Sequence, residues 1–249
     1  MIKMMAAVCR RPGMTHAEYV AYVQHVHAAI SNENPLSLRR YVQNHVFDAA
    51  FGSAAESVHS MTVARDSVTE LWWDNPQDMG ATFSHEHVRT KVGPDGANFG
   101  DVSRTLSIVA TEVEQPVACP GQAVGAKVMH YLRMAEGLTL PTFFERWARA
   151  HERALAASPV AAAAVRRCAH SRQVPDFNTM LAYFGAKDVA VYEGVASLWF
   201  DDTASVGAFR AYERALLAIN AEPGSAFYQP AQSFFVYATE VSIYERRTA

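Results

Sequence analysis

Histidine and tyrosine side chains in the first half of the chain are the residues best suited to acid–base chemistry. Imidazole exchanges a proton most readily near neutral pH. Seven of the ten histidines occur in this half, and six of them fall in predicted elements with polar company: His25, His27, His45, His59, His85 and His87. Tyr41 and His45 are four residues apart in a predicted strand, so both side chains project from the same face. A phenol beside an imidazole can hold a phenolic substrate and move a proton.

His27 lies at the border of the apolar stripe of the first predicted helix, one turn after Val23. Two interpretations fit this position, a half-buried histidine that supports the helix and a general acid or base. A histidine recurs 124 residues later, at His151, which partly favours a role in the fold. We retain His27 as a candidate catalytic residue together with Tyr41 and His45.

Three further side chains are candidates for contact with a substrate: Trp72, Asp74 and His85. Asp74 ends a predicted strand just before a helix, where a capping or turn role is the simpler interpretation. Trp72 also suits a core position, and His85 also suits a solvated helix face. Weaker candidates in the second half are Arg166, His170 and Tyr183.

The spacing of the histidines does not favour a metal site. His25 and His27 are two residues apart, as are His85 and His87. On a helix this spacing points the two rings away from each other, so neither pair predicts a chelate. We therefore expect no metal ion and no cofactor.

The chain also repeats itself at a slowly drifting interval. Gly13, Thr15 and Tyr19 have counterparts 124 positions later, the run 71–74 (Leu-Trp-Trp-Asp) returns 127 later as Leu-Trp-Phe-Asp, and Ala-Thr-Glu-Val at 110–113 returns 128 later. Ordered matches with so little drift indicate two copies of one module. Tyr41 and His45 are not repeated, since the second copy has Cys168 and Arg172 there. A pair found in one copy only is better explained by a site than by the fold.

Each copy predicts the same order of elements. In the first copy the predicted strands are 2–9, 38–47, 68–73 and 102–113. One predicted helix starts at the capping box Thr15 to Glu18, and another runs from Asn75 to about Arg89. The second copy independently predicts strands at 127–134, 195–200 and 233–244, with helices from Thr139 and Phe209.

The order β-α-β-β-α-β is that of a ferredoxin-like module. Such a sheet carries its helices on one face and needs cover on the other. We therefore predict an α+β fold in which two modules pack sheet to sheet as an intrachain dimeric α+β barrel. The first module, with the proposed site, spans residues 1–115, the linker 116–125, and the diverged second module 126–249.

Several motifs resemble the EthD domain family. They are Arg-Arg-Pro-Gly-Met-Thr-His-Ala-Glu-Tyr at 10–19, His-Val-His-Ala at 25–28, the run 38–45, Pro-Asp-Gly-Ala-Asn-Phe at 94–99, and Asp-Val-Ser-Arg at 101–104. The resemblance implies a dimeric α+β barrel. It also implies relatives that include small lyases for polyketide-like aromatics, cofactor-free monooxygenases and proteins of unknown activity. Some members of the superfamily bind haem, which a Soret band would reveal.

Composition sets the remaining bounds. The formal net charge of −3 gives no reason to expect a nucleic acid partner. Three scattered cysteines suit a reducing compartment, and no apolar run reaches the roughly 18 residues of a membrane span. We expect a cytoplasmic protein with a small-molecule partner, and a homodimer remains open.

Together these observations predict a cofactor-free lyase for a small aromatic or polyketide-like substrate. His27 and His45 would act as acid and base, and Tyr41 would polarise a substrate oxygen in an apolar pocket. A cofactor-free monooxygenase of aromatics and a non-catalytic ligand-binding accessory protein are the alternatives.

Overall fold

The computed structural model describes residues 1–50, 65–122, 125–181 and 191–246. Two of the residues named above, His59 and Tyr183, lie outside these ranges. The described strands are β1 (Ile2–Val8), β2 (Arg40–Ala50), β3 (Ser67–Trp73), β4 (Leu106–Gln115), β5 (Ala126–Leu132), β6 (Arg167–Gln173), β7 (Gly194–Phe200) and β8 (Phe234–Glu245). The described α-helices are α1 (His16–Ala21), α2 (Ala28–Asn32), α3 (Pro76–Ser84), α4 (Gly93–Asp95), α5 (Leu140–Ala157), α6 (Pro159–Ala164), α7 (Asn178–Leu181) and α8 (Phe209–Asn220).

The eight strands form one closed barrel in the order β1-β3-β2-β8-β5-β7-β6-β4. Each half contributes four neighbouring strands in the ferredoxin-like order. Antiparallel pairing of β2 with β8 and of β4 with β6 joins the two halves. The prediction of two ferredoxin-like modules in an intrachain dimeric α+β barrel is confirmed. Each of the eight described strands is paired on both sides, so none of them offers a free edge to another strand.

The first helix departs from α-helical spacing in its middle. Thr15 caps its start with the predicted capping box, but residues Tyr22–His27 form a π-helix between α1 and α2. A π-turn carries more residues per turn than an α-turn, so positions after it rotate. Regular α-helical spacing would place Val26 on the same apolar face as Tyr19 and Val23, but Val26 is exposed whereas Tyr19 and Val23 are buried.

The second predicted helix is shorter than its sequence pattern indicates. Helix α3 ends at Ser84, because His85 adopts an extended backbone (φ −68°, ψ 142°), and a π-helical segment follows at Val88–Val92. Asn75, not Asp74, caps the start of α3 by accepting a hydrogen bond from the Asp78 backbone.

Alternation along the strands separates two environments. Side chains on one face of every strand meet inside the barrel, where Met5 and Val68 of the first module belong to one hydrophobic cluster with Met129 and Val236 of the second. Side chains on the other face meet the helices. Tyr41 and Gln43 in β2 belong to this helix-facing side, as does Trp73 in β3.

The barrel interior contains a buried charge cluster that links the modules. The Glu70 carboxylate accepts hydrogen bonds from Lys3 Nζ (2.9 Å), from Lys127 Nζ and from Asn44 Nδ2 (2.9 Å). Lys3, Glu70 and Lys127 are at most 1% exposed. Burial raises the pKa of Glu70, but the charges of Lys127 and Lys3 outweigh it and hold that pKa far below its usual range. Lys3 and Lys127 are equivalent positions of the repeat, so one carboxylate connects both modules.

In the second module the helix layer packs closely on the sheet. Trp147 of α5 lies against Gly194 of β7, and a Cβ added at Gly194 would lie 2.5 Å from the indole ring. We expect Gly194→Ala to lower the free energy of unfolding by about 1–3 kcal/mol, because the buried ring has no room to retreat. Urea unfolding measures the difference.

The matched control is Gly80→Ala in α3, where an added Cβ meets nothing within 4 Å. There the methyl group should be neutral or stabilise the protein by about 0.4–1 kcal/mol, through the unfolded chain. Equal stabilities of the two variants would contradict the close packing of Trp147 on β7.

Within the described ranges, no helix has both the length and the apolar character needed to cross a bilayer.

Candidate functional site

A cavity of about 90 Å³ lies between the sheet and the helices of the first module. Strands β2 and β3 form its floor, and the π-helical segment, α3 and the loop after α2 form its walls. Most of its lining is apolar: Leu36, Leu38, Leu71, Trp73, Phe83, Val88 and Val92. Two titratable side chains also line it, His27 and Tyr41.

The loop that borders this cavity holds a residue in an uncommon conformation. Leu36 has a φ of 53°, in the left-handed region that residues other than glycine rarely adopt. The Arg246 guanidinium donates a hydrogen bond to its carbonyl, which ties the loop to the end of β8. Strained backbone of this kind is concentrated at ligand-binding sites.

Asp95 orients the imidazole of His27. Its Oδ2 lies 2.8 Å from His27 Nδ1, and its Oδ1 accepts hydrogen bonds from Tyr22 Oη (2.7 Å) and Asn98 Nδ2 (2.9 Å). Burial raises the pKa of Asp95, but these three donors outweigh it and lower that pKa, so the group is ionised. An ionised carboxylate fixes the proton on Nδ1 and leaves the lone pair on Nε2. Nε2 is then the nitrogen that a ligand in the cavity can reach.

Burial also sets the protonation state of His27. The side chain is 16% exposed and packs against Phe99, with ring centroids 4.7 Å apart. Burial lowers the pKa of His27, and the hydrogen bond and charge of Asp95 only partly oppose this. The imidazole is therefore neutral at neutral pH, which is the form that accepts a proton.

Gln43 connects Tyr41 with His45 along the helix-facing side of β2. Its Nε2 donates to Tyr41 Oη (2.7 Å) and to the Val23 carbonyl in the π-helix (2.8 Å). Its Oε1 lies 2.9 Å from His45 Nε2. Because Tyr41 Oη accepts the Gln43 hydrogen bond, its own proton can point to a ligand. Burial raises the pKa of Tyr41 to about 12, so the phenol is neutral and can donate.

The structure does not bring all the candidate residues together. His45 does not line the cavity, and among the described residues its connection to the cavity runs through Gln43, which bonds to Tyr41. Burial lowers its pKa. His85 is exposed at the end of α3, where its Nδ1 accepts a hydrogen bond from the His87 backbone. These two histidines are therefore not direct partners of His27.

Trp72 and Asp74 line a different and larger cavity, of about 590 Å³, at one end of the barrel. Trp72 points into the barrel because its strand position alternates with that of Trp73. Its ring lies beside Lys3, while Asp74 is paired with Arg39 (2.7 Å to Nε). Charged side chains that already have partners dominate this cavity, so we place the candidate site at the smaller one.

Family membership follows from both halves of the chain. Residues 11–103 and 135–223 each match the model of the EthD domain. These matches cover well over half of the 249 residues. The chain belongs to the EthD domain family. No curated protein matches it in sequence.

Solved structures share the fold of this EthD protein. One is an anthrone oxidase-like protein; the aligned region spans 100% of this chain and 95% of that protein's chain (TM-score 0.54, 9% identity). Another is a candidate monooxygenase from Fusobacterium nucleatum subsp. nucleatum; the aligned region spans 99% of this chain and 98% of that one (TM-score 0.53, 7% identity). A third is a chlorite dismutase variant from Candidatus Nitrospira defluvii; the aligned region spans 97% of this chain and 91% of that one (TM-score 0.53, 9% identity). At these identities the likeness shows the two-module barrel alone.

Two residues of the candidate site, Asp95 and Gln43, were missed by the sequence analysis. Asp95 stands inside the Pro-Asp-Gly-Ala-Asn-Phe motif of the EthD resemblance, so an acidic residue in that motif was the available signal. Gln43 lies between Tyr41 and His45 on one strand face, and that alternation was the signal for it. The sequence does not show which residue Asp95 contacts.

The second EthD module fills the equivalent space with aromatic side chains. Trp147 stands at the repeat position of Val23 and stacks on His170, with ring centroids 3.7 Å apart. His170 stands at the position of Gln43. His151, the counterpart of His27, is fully buried, and its Nδ1 lies 3.0 Å from Tyr212 Oη. Equivalent positions of the repeat therefore border a cavity in the first module and are buried in the packed core of the second.

Proposed function

We propose that this EthD protein is a cofactor-free lyase that acts on a small aromatic or polyketide-like molecule. The observation that carries the proposal is the His27–Asp95 pair beside an apolar cavity. A neutral imidazole oriented by a buried carboxylate is an established arrangement for a general base. The fold likeness to an anthrone oxidase-like protein and a chlorite dismutase supports a small-molecule enzyme.

Elimination of water is the reaction that these groups support with the fewest assumptions. His27 Nε2 takes the proton from a substrate carbon next to a carbonyl. The electron pair forms a carbon–carbon double bond, and the bond to the hydroxyl group on the next carbon breaks. The protonated imidazole returns its proton to the departing oxygen, so water leaves and the base is regenerated. Decarboxylation and C–C cleavage use the same stabilised carbanion.

Tyr41 supplies the second role in this proposal. Negative charge develops on the substrate carbonyl oxygen when the adjacent proton is removed. A neutral phenol in an apolar cavity donates a hydrogen bond to that oxygen, and such donors are most effective where water is excluded. Gln43 keeps the Tyr41 hydroxyl in place through its own two hydrogen bonds.

The cavity volume limits the substrate. An engineered apolar cavity of about 150 Å³ binds benzene, so the 90 Å³ seen here is small even for one ring. We therefore favour a monocyclic substrate whose binding displaces side chains at the cavity border, such as Phe83. A hydrated ring that becomes aromatic on loss of water has a suitable size and a strong driving force.

The test is incubation of the purified protein with monocyclic β-hydroxy ketones that aromatise on dehydration. Formation of the phenol, followed by ultraviolet absorbance and mass spectrometry, should be equal with and without oxygen. A product that requires oxygen and contains its atoms would replace the lyase with a monooxygenase. Tight binding without any product would indicate a ligand-binding protein instead.

Asp95→Asn tests the orientation of His27. The substitution removes one charge-assisted hydrogen bond, worth about 1.5–3 kcal/mol, so kcat should fall about 10- to 150-fold. KM should change little, because Asp95 does not line the cavity. NMR titration should show a further decrease in the pKa of His27, since the Asp95 carboxylate raises it.

Asp101→Asn is the matched control for Asp95→Asn. Asp101 follows in the same loop region, and its side chain accepts a hydrogen bond from Ser103 Oγ (2.6 Å) and pairs with Arg104 (3.5 Å). It should retain wild-type kcat. If Asp95→Asn also keeps both kcat and the His27 pKa, the orienting role is excluded.

A further inference from the structure

Three potential metal ligands converge in the core of the second module. His151 in α5 and Cys168 and His170 in β6 each present one ligand atom, and these atoms all lie within 4.8 Å of one another. His151 Nδ1 is 4.0 Å from Cys168 Sγ. Bond lengths of about 2.0–2.3 Å to nitrogen and sulfur place two ligands of one ion roughly 3.5 Å apart. Small side-chain rotations would bring the three atoms to that spacing.

The cluster is sealed from solvent and not saturated by hydrogen bonds. All three residues are 0% exposed, and both ring nitrogens of His170 lack a hydrogen-bond partner among the described residues. A buried polar group without a partner costs about 1–3 kcal/mol.

We propose that His151, Cys168 and His170 bind one copper(I) ion. On binding, the S–H bond of Cys168 breaks, Sγ bonds to copper, and the proton passes to solvent. No change of oxidation state is involved when the metal is supplied as copper(I). This site is separate from the His27 cavity and does not depend on the function proposed for it.

Charge favours a monovalent ion at this position. Cys168 belongs to the hydrophobic cluster formed by α5, α8 and the sheet, which includes Trp147 and Tyr212. Copper(I) with one thiolate is neutral, whereas zinc(II) with one thiolate leaves a net positive charge in that core, and buried net charge is costly.

Ligand number points to the same ion. Structural zinc sites take four ligands, and this cluster supplies three. Soft thiolate with imidazole ligands suits copper(I). The repeat adds a further argument, since the equivalent positions in the first module hold His27, Tyr41 and Gln43. Divergence at two of the three positions has produced soft-metal ligands in the second module.

The experiment is expression of the whole chain in medium with equal copper and zinc, followed by anaerobic purification with a reductant. Loading during synthesis is needed because the site is fully buried. Elemental analysis should give one copper per chain and little zinc. X-ray absorption on the wild-type protein should show one sulfur and two nitrogen neighbours of copper, which requires no variant to fold.

Cys168→Ser should lower the copper content at least tenfold. Cys119→Ser should retain it, because the Cys119 thiol is exposed and is not one of the three ligands, whereas Cys168 is buried among them. His27→Gln should also retain it. Circular dichroism checks that each variant is folded. Copper without a sulfur neighbour, zinc in place of copper, or a wild-type protein that holds neither ion would each overturn the proposal.

Discussion

Replacement of His27 by glutamine is expected to lower kcat/KM about 100- to 10,000-fold, the usual contribution of a positioned general base. Glutamine can still donate to Asp95, and Asp95 keeps its bonds to Tyr22 and Asn98, so the fold should be preserved. Steady-state kinetics on any substrate that the wild-type protein converts measures the loss. Thermal melting of the same sample should show little change.

The pH profile of the wild-type protein gives an independent check on His27. A general base must be unprotonated, so activity falls as the pH drops through its pKa. Burial lowers the pKa of His27 below 6.5, so activity should persist at pH values where an exposed histidine would already be protonated. The same acid limb should be absent from the residual rate of His27→Gln.

His45→Ala is the matched comparison, since it removes a second histidine of the same module. His45 reaches the cavity only through its hydrogen bond to Gln43. Loss of one such bond, worth about 0.5–1.5 kcal/mol, should reduce kcat/KM only about 2- to 13-fold. If His45→Ala loses as much activity as His27→Gln, the assignment of the base to His27 is wrong.

The largest effect on stability is expected from Glu70→Gln. The substitution removes the carboxylate that the buried ammonium groups of Lys3 and Lys127 share, and leaves each with one partner, Glu112 and Glu240 respectively. Removal of one partner of a buried ion pair costs about 3–5 kcal/mol. For a chain of this size, that corresponds to a decrease in Tm on the order of 10 °C. Urea unfolding with an unchanged m-value would measure the loss directly.

Glu114→Gln is the control for Glu70→Gln. Glu114 also pairs with a cation, Arg167, but its side chain is 58% exposed. An exposed pair contributes about 0–1 kcal/mol, so this variant should be nearly as stable as the wild type. A loss below 1 kcal/mol in Glu70→Gln as well would show that the cluster does not stabilise the barrel.

Acid should remove the difference between the wild type and Glu70→Gln. The folded pKa of Glu70 is lowered below its unfolded value of about 4.3, so its ionised form stabilises the folded state above that pH. The contribution decreases as the pH falls below about 4 toward the folded pKa. The two stabilities should therefore converge under acidic conditions.

Local sequence patterns predicted most of the fold. Apolar runs, the capping box at Thr15 and the repeat predicted the order of the elements and the pairing of two ferredoxin-like modules. The errors occurred where the chain departs from regular spacing. The π-helical segment Tyr22–His27 exposes Val26, and the extended backbone at His85 ends α3 early. A pattern search that assumes α-helical spacing cannot detect either change.

The candidate site was only partly predictable. The alternation of side chains in β2 predicted that Tyr41 and His45 share one face, and the structure agrees. Alternation does not predict which face of the sheet borders a cavity. Trp72 and Tyr41 come from paired strands and lie on opposite sides of the sheet. Trp72 and Asp74 therefore line a different cavity from His27 and Tyr41.

The sequence by itself determined the two-module barrel, because repeats and strand alternation are local properties of the chain. It also identified His27 and Tyr41 as chemically suitable groups. Only the tertiary structure decided that Asp95 orients His27 across 68 residues of sequence, that Gln43 joins Tyr41 to the π-helix, and that His151 meets Cys168 and His170. Contacts of this kind depend on how separate elements pack, and packing is set by the whole barrel.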